Sequence, residues 1–303
     1  MPSNYGQLLS KFIGCMLGCA VGDVLGLGYY LGSYNGTWSD DTHMMIGVAE
    51  SLIANRGFNG EHMAWTFIKN YEKEPWRGYA IGPPMVFGLI KSGVPWKEAA
   101  KKLFGGAGSF GNGAAMRVAP VGLLYFDDPK MLREVARNQS IITHAHELGI
   151  EGAIIQAYAV SLAVKADKTK GINPRDFLDN LISLTENNVY RLKLKMVLLL
   201  LEEENKLIVV KGLGNSVEAF NSVPTAIYCF LRNLNSFRGA LEYAVSLGGD
   251  ADTIGAMTGA ISGAYHGAEA IPSKWLRELE RREYIENLAK QIWKMKIRHM
   301  KKN

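Results

Sequence analysis

Two short stretches carry the residue types that do chemistry. Leu247-Gly248-Gly249-Asp250-Ala251-Asp252-Thr253-Ile254 runs a glycine pair into two carboxylates and a hydroxyl, and Ser39-Asp40-Asp41-Thr42 repeats that chemistry near the other end of the chain. Carboxylates and hydroxyls are hard oxygen donors, which suit Mg²⁺, Mn²⁺ or Ca²⁺ rather than zinc. Each stretch also opens a segment of helical character, so either alone reads as a helix start: Ser39 caps a helix over 40–55 that Gly57 ends, and Asp250 caps the next one. Together they say more, because two oxygen-rich helix starts can converge on one site. Adjacent aspartates at a helix start point in different directions, so Asp40 and Asp41 can serve two ions, or one ion and one water.

A third stretch, Gly105-Gly106-Ala107-Gly108-Ser109-Phe110-Gly111-Asn112-Gly113, has five glycines in nine residues. It lets backbone amides approach an anion at the start of a helix expected over 114–125. It lacks the Gly-Lys-Ser/Thr ending of a Walker loop. His144 and His146 could form a metal pair, but beside oxygen-rich clusters a ligand hydrogen bond or a structural role fits better than zinc. Asp23 sits in an apolar context and needs a partner; capping or bracing a neighbouring backbone is the simplest account.

The elements that must position these groups read as helices throughout. Residues 7–21 have helical spacing with a glycine at every fourth position from Gly14 to Gly22, a smooth face suited to tight packing, followed by Gly22-Asp23-Val24-Leu25-Gly26 and a Gly/Tyr-rich loop to Trp38. Further helices are expected over 61–71, from Met85, over 95–104, from Pro129, over 149–164, twice within 175–205, and over 224–233, 258–265 and 274–302, with 237–246 leading back to the second aspartate cluster. Met196 to Leu201 reads as core and 212–215 as a loop. No period-two strand pattern appears, so the fold class is all-α, and with no boundary signal residues 1–303 read as a single domain. Of the 303 residues, 48% are apolar and 21% charged, a globular composition. The net charge of +5 is scattered without an aromatic-basic stripe, which argues against specific nucleic-acid binding. Phe12 to Tyr30 is apolar but holds Asp23 and the glycines, so neither a signal peptide nor a membrane span is expected. Cys15, Cys19 and Cys229 read as buried free thiols, consistent with a cytoplasmic protein. A monomer is favoured.

With these residues laid out, the sequence resembles the ADP-ribosylglycohydrolase family, which includes dinitrogenase-reductase-activating glycohydrolase and the ADP-ribosyl-acceptor hydrolases. The motifs that carry the likeness are Ala20-Val21-Gly22-Asp23, Ser39-Asp40-Asp41-Thr42, Gly111-Asn112-Gly113-Ala114-Ala115-Met116-Arg117-Val118-Ala119, Ile142-Thr143-His144-Ala145 and Gly248-Gly249-Asp250-Ala251-Asp252-Thr253-Ile254. From Gly108 onward, including Ser222 to Arg232, the likeness is to the third ADP-ribosyl-acceptor hydrolase type. The resemblance implies a compact orthogonal multi-helix bundle with a central dimetal cleft. It implies two Mg²⁺ ions, or Mn²⁺ on the same ligands, held by Ser39, Asp40, Asp41, Asp250, Asp252 and Thr253, with Asp40, Asp41 and Asp250 taking part in catalysis. It puts Phe104 and Phe110 at adenine, Gly108, Ser109, Gly111 and Asn112 at the diphosphate and ribose, and His144 in contact with the ligand, with Gly82 and Val217 in the same cleft. The implied reaction hydrolyses the glycosidic bond between ADP-ribose and an acceptor, on a protein or a small compound, through an oxocarbenium-like transition state.

One departure bears on mechanism. Many relatives carry a glutamate a few residues after Gly22-Asp23 that assists cleavage of serine-linked substrates, whereas here Leu25 to Gly32 hold no acid and only sixteen residues separate Asp23 from Asp40. Either a cluster aspartate takes the proton or the linkage cleaved differs, and the Tyr34-Asn35-Gly36-Thr37-Trp38 approach resembles arginine-type enzymes. The loss also admits a non-catalytic ADP-ribose-binding regulatory protein of the same fold. A metal phosphohydrolase acting on a nucleotide is a third reading.

Overall fold

The computed structural model describes residues 2–32 and 34–300, and these form seventeen α-helices and three short 3-10 turns with no strand. The all-α expectation holds. Gly111 and Glu218 make an isolated antiparallel bridge.

Two glycine-faced helices set the frame. The first is one 30-residue helix, Pro2–Leu31, and it does not stop at Val21. The expected helix end at Val21 and the Gly/Tyr-rich loop after Gly26 are therefore corrected: the helix continues to Leu31, and Gly22 and Gly26 pack against the partner helix rather than turning the chain. The partner is Ala251–His266. A Cβ placed on Gly14, Gly18 or Gly22 would stand 2.6, 2.3 or 2.0 Å from the carbonyl oxygens of Gly263, Gly259 and Gly255, and one on Gly26 would lie 2.2 Å from the Cα of Asp252. The helices run backbone against backbone in opposite directions. Glycine costs about 1 kcal/mol per helical position relative to alanine, and here close packing offsets that cost. The crossing also brings the Asp252 backbone against Gly26, one turn beyond Asp23.

Asp40–Asn55 has the bounds expected for it, with Ser39 as N-cap and Arg56 in the left-handed conformation at its end. Phe237–Ser246, a stretch with no sequence-predicted element, is a helix capped by Ser236. Glu147–Lys165 is buried along most of its length. Two helices, Tyr5–Tyr29 within the first and Glu147–Lys165, are long and apolar enough to span a bilayer, but 78% and 83% of those windows are buried inside the protein. Cys15, Cys19 and Cys229 are free and buried, as expected.

Several expectations change. The helix over 114–125 is two short ones, Gly113–Met116 and Ala119–Leu124, the second opened by Pro120; a one-turn helix cannot supply the dipole envisaged behind the glycine loop. The 95–104 helix is Trp96–Ala99 followed by 3-10 turns. The C-terminal helix breaks into Ser273–Glu278 and Arg282–Met300. Gly212 and Leu213 close the helix Lys206–Leu213 instead of lying in a loop. The Met196–Leu201 run is core only in part: Val197 is buried with Tyr190 and Leu194 on the inward face of Asn188–Leu200, Leu198, Leu200 and Leu201 are half-buried against the core, and Met196 and Leu199 (79% exposed) face outward. An unbroken apolar run winds around a surface helix and cannot all face inward.

Candidate active site

The site begins with how the Asp40–Asn55 helix is held at its start. Asp23, wholly buried on the first helix, accepts hydrogen bonds from Ser39 N (3.1 and 3.0 Å), Thr42 N (3.1 Å) and Thr42 Oγ1 (2.6 Å). This is the bracing role expected for it. Ser39 Oγ accepts from Asp41 N and donates to Asp41 Oδ2 at 3.0 Å, so Ser39 lies beneath the site.

The second cluster meets the first directly. Thr253 Oγ1 donates to Asp41 Oδ2 at 3.4 Å, Asn112 Nδ2 donates to Ser222 Oγ at 3.0 Å and also to Asp250 Oδ2, and Asp250 N bonds to Asn215 O at 2.7 Å. Asp40, Asp41, Asp250, Asp252 and Thr253 line one cavity of about 380 Å³. Burial and then mutual repulsion raise the Asp40 carboxyl to about 8 and the Asp250 carboxyl to about 6, and hold Asp41 well above the usual range. Asp23 is raised to about 7, by burial first.

The donor set fits hard divalent cations. Every side-chain donor is an oxygen, the buried Asp41 Oδ1 has no hydrogen-bond partner, and carboxylates crowded in low dielectric call for a counter-charge. Among the described residues no three His, Cys or acidic side chains already close on one centre. The carboxylates line a cavity rather than a finished cage, so the Thr253 and Ser39 hydroxyls would have to complete any coordination.

The other walls come from the glycine-rich segments. Ser109, Gly111, Asn112 and His144 face the cavity, as do Gly82, Phe104 and Val217. Gly108 and Phe110 are not on its wall. A Cβ on Gly108 (φ 72°) would meet His146 N at 2.9 Å, and the Phe110 ring packs on His146 and Phe220 at centroid distances of 5.5 and 6.1 Å. Phe104, 60% exposed, thus lines the cavity without Phe110 beside it. His146 caps Glu147–Lys165, accepting from Leu148 N at 3.1 Å, which leaves His144 alone at the cavity and removes the zinc-pair reading. Burial, and then Arg117, pushes His144 down to about 3, so it is neutral.

Gly113, Met116 and Thr143, which lie in the motifs that carry the likeness, also line the cavity, as do Gly78, Ile81 and Pro83, for which the sequence suggests no role in the site. Ile81 is 72% exposed within a Gly/Pro turn, a signal that could have found it. This wall is anchored by Arg77, whose guanidinium stacks 3.7 Å above Trp38, donates to Trp38 O at 3.1 Å and pairs with Glu74 and with Glu280 at 2.6 Å. Trp38 Nε1 in turn donates to Glu280 O at 3.0 Å. One buried cation thereby ties the approach to Asp40, the 78–83 wall and the C-terminal segment together.

With this geometry, the likenesses to known proteins become specific. The model of the ADP-ribosylglycohydrolase family matches residues 5–301. The chain is 38% identical over 283 residues to ADP-ribosylhydrolase ARH3 of Bos taurus, covering 84% of this chain and 77% of that protein. It is 37% identical to the Homo sapiens ARH3, over 84% and 78% respectively, and 31% identical to an uncharacterized protein of Archaeoglobus fulgidus, over 87% and 82%. A solved structure described as an ADP-ribosylglycohydrolase-related protein complex superposes with a TM-score of 0.75 at 25% identity, covering 96% of this chain and 99% of that one. The chain belongs to the ADP-ribosylglycohydrolase family and is a glycosyl-bond hydrolase.

Proposed function

We propose that the cavity binds the ADP-ribosyl group of a modified protein or small compound and hydrolyses the bond from its distal ribose to the acceptor, with two divalent cations, Mg²⁺ or Mn²⁺, held by Ser39, Asp40, Asp41, Asp250, Asp252 and Thr253. The observation that carries this reading is the convergence of two distant aspartate clusters on one cavity opposite a glycine-rich wall. Bound there, the ions would fix the sugar hydroxyls and lower the pKa of water. Residues 25–32 hold no acid, so the water's proton goes to a cluster carboxylate, with Asp40, Asp41 and Asp250 as the candidates. Negative charge beside the anomeric carbon stabilises the oxocarbenium-like transition state. Gly111 and Gly113 keep side chains off the opposite wall, leaving room for ribose and diphosphate oxygens. Phe104 offers a face for adenine. The reduced thiols suit a cytoplasmic setting.

The test is release of free ADP-ribose from matched arginine-linked and serine-linked peptides, with Mg²⁺ and with chelator. Release from one linkage that chelator abolishes is the expected result, and it identifies the acceptor. ADP-ribose binding without release from either peptide replaces the hydrolase with the regulatory reading, and release of AMP or phosphate replaces it with a phosphohydrolase.

Metal binding has its own signature in stability. In the metal-free protein the raised carboxyls keep protons that the unfolded chain loses near pH 4. Their folded pKa values lie above the unfolded ones, so stability falls as pH rises from about 4 to about 8. A divalent cation competes with those protons and stabilises most where they have left. Mg²⁺ at a hundredfold excess over its Kd is expected to raise the melting temperature by about 5 °C at pH 8 and far less at pH 5. No shift at pH 8, or equal shifts at both, rejects the site.

A further inference from the structure

Arg117 is fully buried, yet its hydrogen bonds go to uncharged groups. Nε and Nη2 donate to Gln139 Oε1 and Gln139 O at 2.8 and 2.7 Å, Nη1 donates to Thr143 Oγ1 at 2.7 Å, and the guanidinium lies 4.6 Å above the Phe67 ring. Burying a cation without a carboxylate partner costs several kcal/mol, so its donors are worth following. The direction of each hydrogen bond is fixed in turn. Gln139 Nε2 donates to Ala114 O and Ala136 O, which turns its Oε1 toward Arg117. Arginine can only donate, so it occupies a lone pair of Thr143 Oγ1.

Thr143 Oγ1 lies 2.8 Å from His144 Nδ1. If Nδ1 carried the ring proton, Oγ1 would accept from both neighbours, and its own proton would have no acceptor among the described residues. An unmade hydrogen bond on a buried hydroxyl costs about 1–3 kcal/mol. The hydroxyl therefore donates to Nδ1, and a neutral imidazole then carries its proton on Nε2. Burial and the nearby guanidinium keep a second proton off the ring. Nε2 lies on the cavity wall, 3.4 and 2.9 Å from where a Cβ on Gly111 or Gly113 would stand, with no protein partner among the described residues.

We infer that Arg117, acting through Thr143, is a positioning residue that fixes His144 as its Nε2–H tautomer, so that the cavity presents a neutral N–H donor to an oxygen acceptor of the ligand. The identity of that acceptor, a ribose or diphosphate oxygen, rests on the proposed function; the tautomer does not. Arg117 does not line the cavity, and its effect reaches the ligand only through the two side chains between.

Long-range ¹H–¹⁵N correlation on the free protein at neutral pH, with His144 assigned by its loss in His144→Gln, reads the tautomer directly. The expected result is a proton on Nε2. Thr143→Val is expected to mix the tautomers and to weaken ADP-ribose binding about tenfold by calorimetry, and Thr143→Ser to restore both. Arg117→Met is expected to mix the tautomers as well; if it does not fold, the threonine pair still decides. A proton on Nδ1 in the unmodified protein, or an Nε2–H ring that Thr143→Val leaves unchanged, overturns the inference. An Nε2–H ring released by Thr143→Val in a protein that binds no ADP-ribose supports the relay and instead rejects the proposed ligand.

Discussion

Asp41→Asn is expected to lower the rate of ADP-ribose release by about a thousandfold or more, the loss typical when a charged group acting on the transition state is removed. The substitution keeps side-chain size and an acceptor for Ser39 Oγ and Thr253 Oγ1, so the fold should persist. It deletes one negative charge and replaces an oxygen by an amide nitrogen that cannot ligate a cation. Its stability effect separates the roles. Burial first, and then its acidic neighbours, hold the Asp41 carboxyl well above the usual range, so in chelator at pH 8 the amide variant should melt higher than the parent. A carboxylate serving only the fold would show the opposite pair of effects, with stability lost and turnover kept. Unchanged turnover rejects the proposed role. Melting in chelator at pH 5 and pH 8 completes the test, since the gain should shrink at the lower pH, where the parent carboxyl is already protonated.

The second large effect lies in the frame. Gly22→Ala is expected to lower the melting temperature by about 5 °C, a net cost of roughly 2 kcal/mol, and Gly22→Leu to leave no soluble folded protein. The added Cβ would stand 2.0 Å from Gly255 O and 2.4 Å from Gly255 C. That neighbour is backbone within a packed helix, so no rotamer change relieves the clash and the helices must part. Asp252 sits against Gly26 one turn further along the same crossing, so Gly22→Ala should also reduce turnover in the fraction that folds. Gly88→Ala is the control: nothing lies within 4 Å of its Cβ and the residue is within Gly82–Lys91, so it should be neutral or stabilise by up to about 1 kcal/mol. Equal melting temperatures for the two alanine variants would remove the argument for backbone contact.

The sequence by itself determined what is written within a turn or two of chain. Ser39 followed by two aspartates and an apolar period sufficed to place the helix Asp40–Asn55 and its cap, and an aspartate stranded among apolar residues sufficed to predict that Asp23 braces a backbone. The oxygen chemistry of the two clusters was legible because residue type alone fixes donor hardness. The all-α class was legible because periodicity is a local property.

Tertiary structure decided what depends on the element opposite. The glycines at every fourth position from Gly14 to Gly22 read as a packing face, but which helix they meet, and that the face runs on through Gly26, is decided only by Gly255, Gly259, Gly263 and Asp252 across the interface. The Met196–Leu201 run has core composition, but the helix that carries it has a single buried face. Phe110 resembles a ligand-stacking ring in sequence, yet it packs on His146 and Phe220 away from the cavity wall. Arg117 stands in the sequence only as part of a motif that carries the family likeness, and its link to the site appears once its donors are seen to end on Thr143 beside His144. The meeting of Thr253 with Asp41 belongs to this class too: each helix start encodes its own carboxylates, but Asp250 makes no cap hydrogen bond and accepts from Asn112 instead, and the convergence of the two starts is set by the backbone crossing that brings the two ends of the chain together.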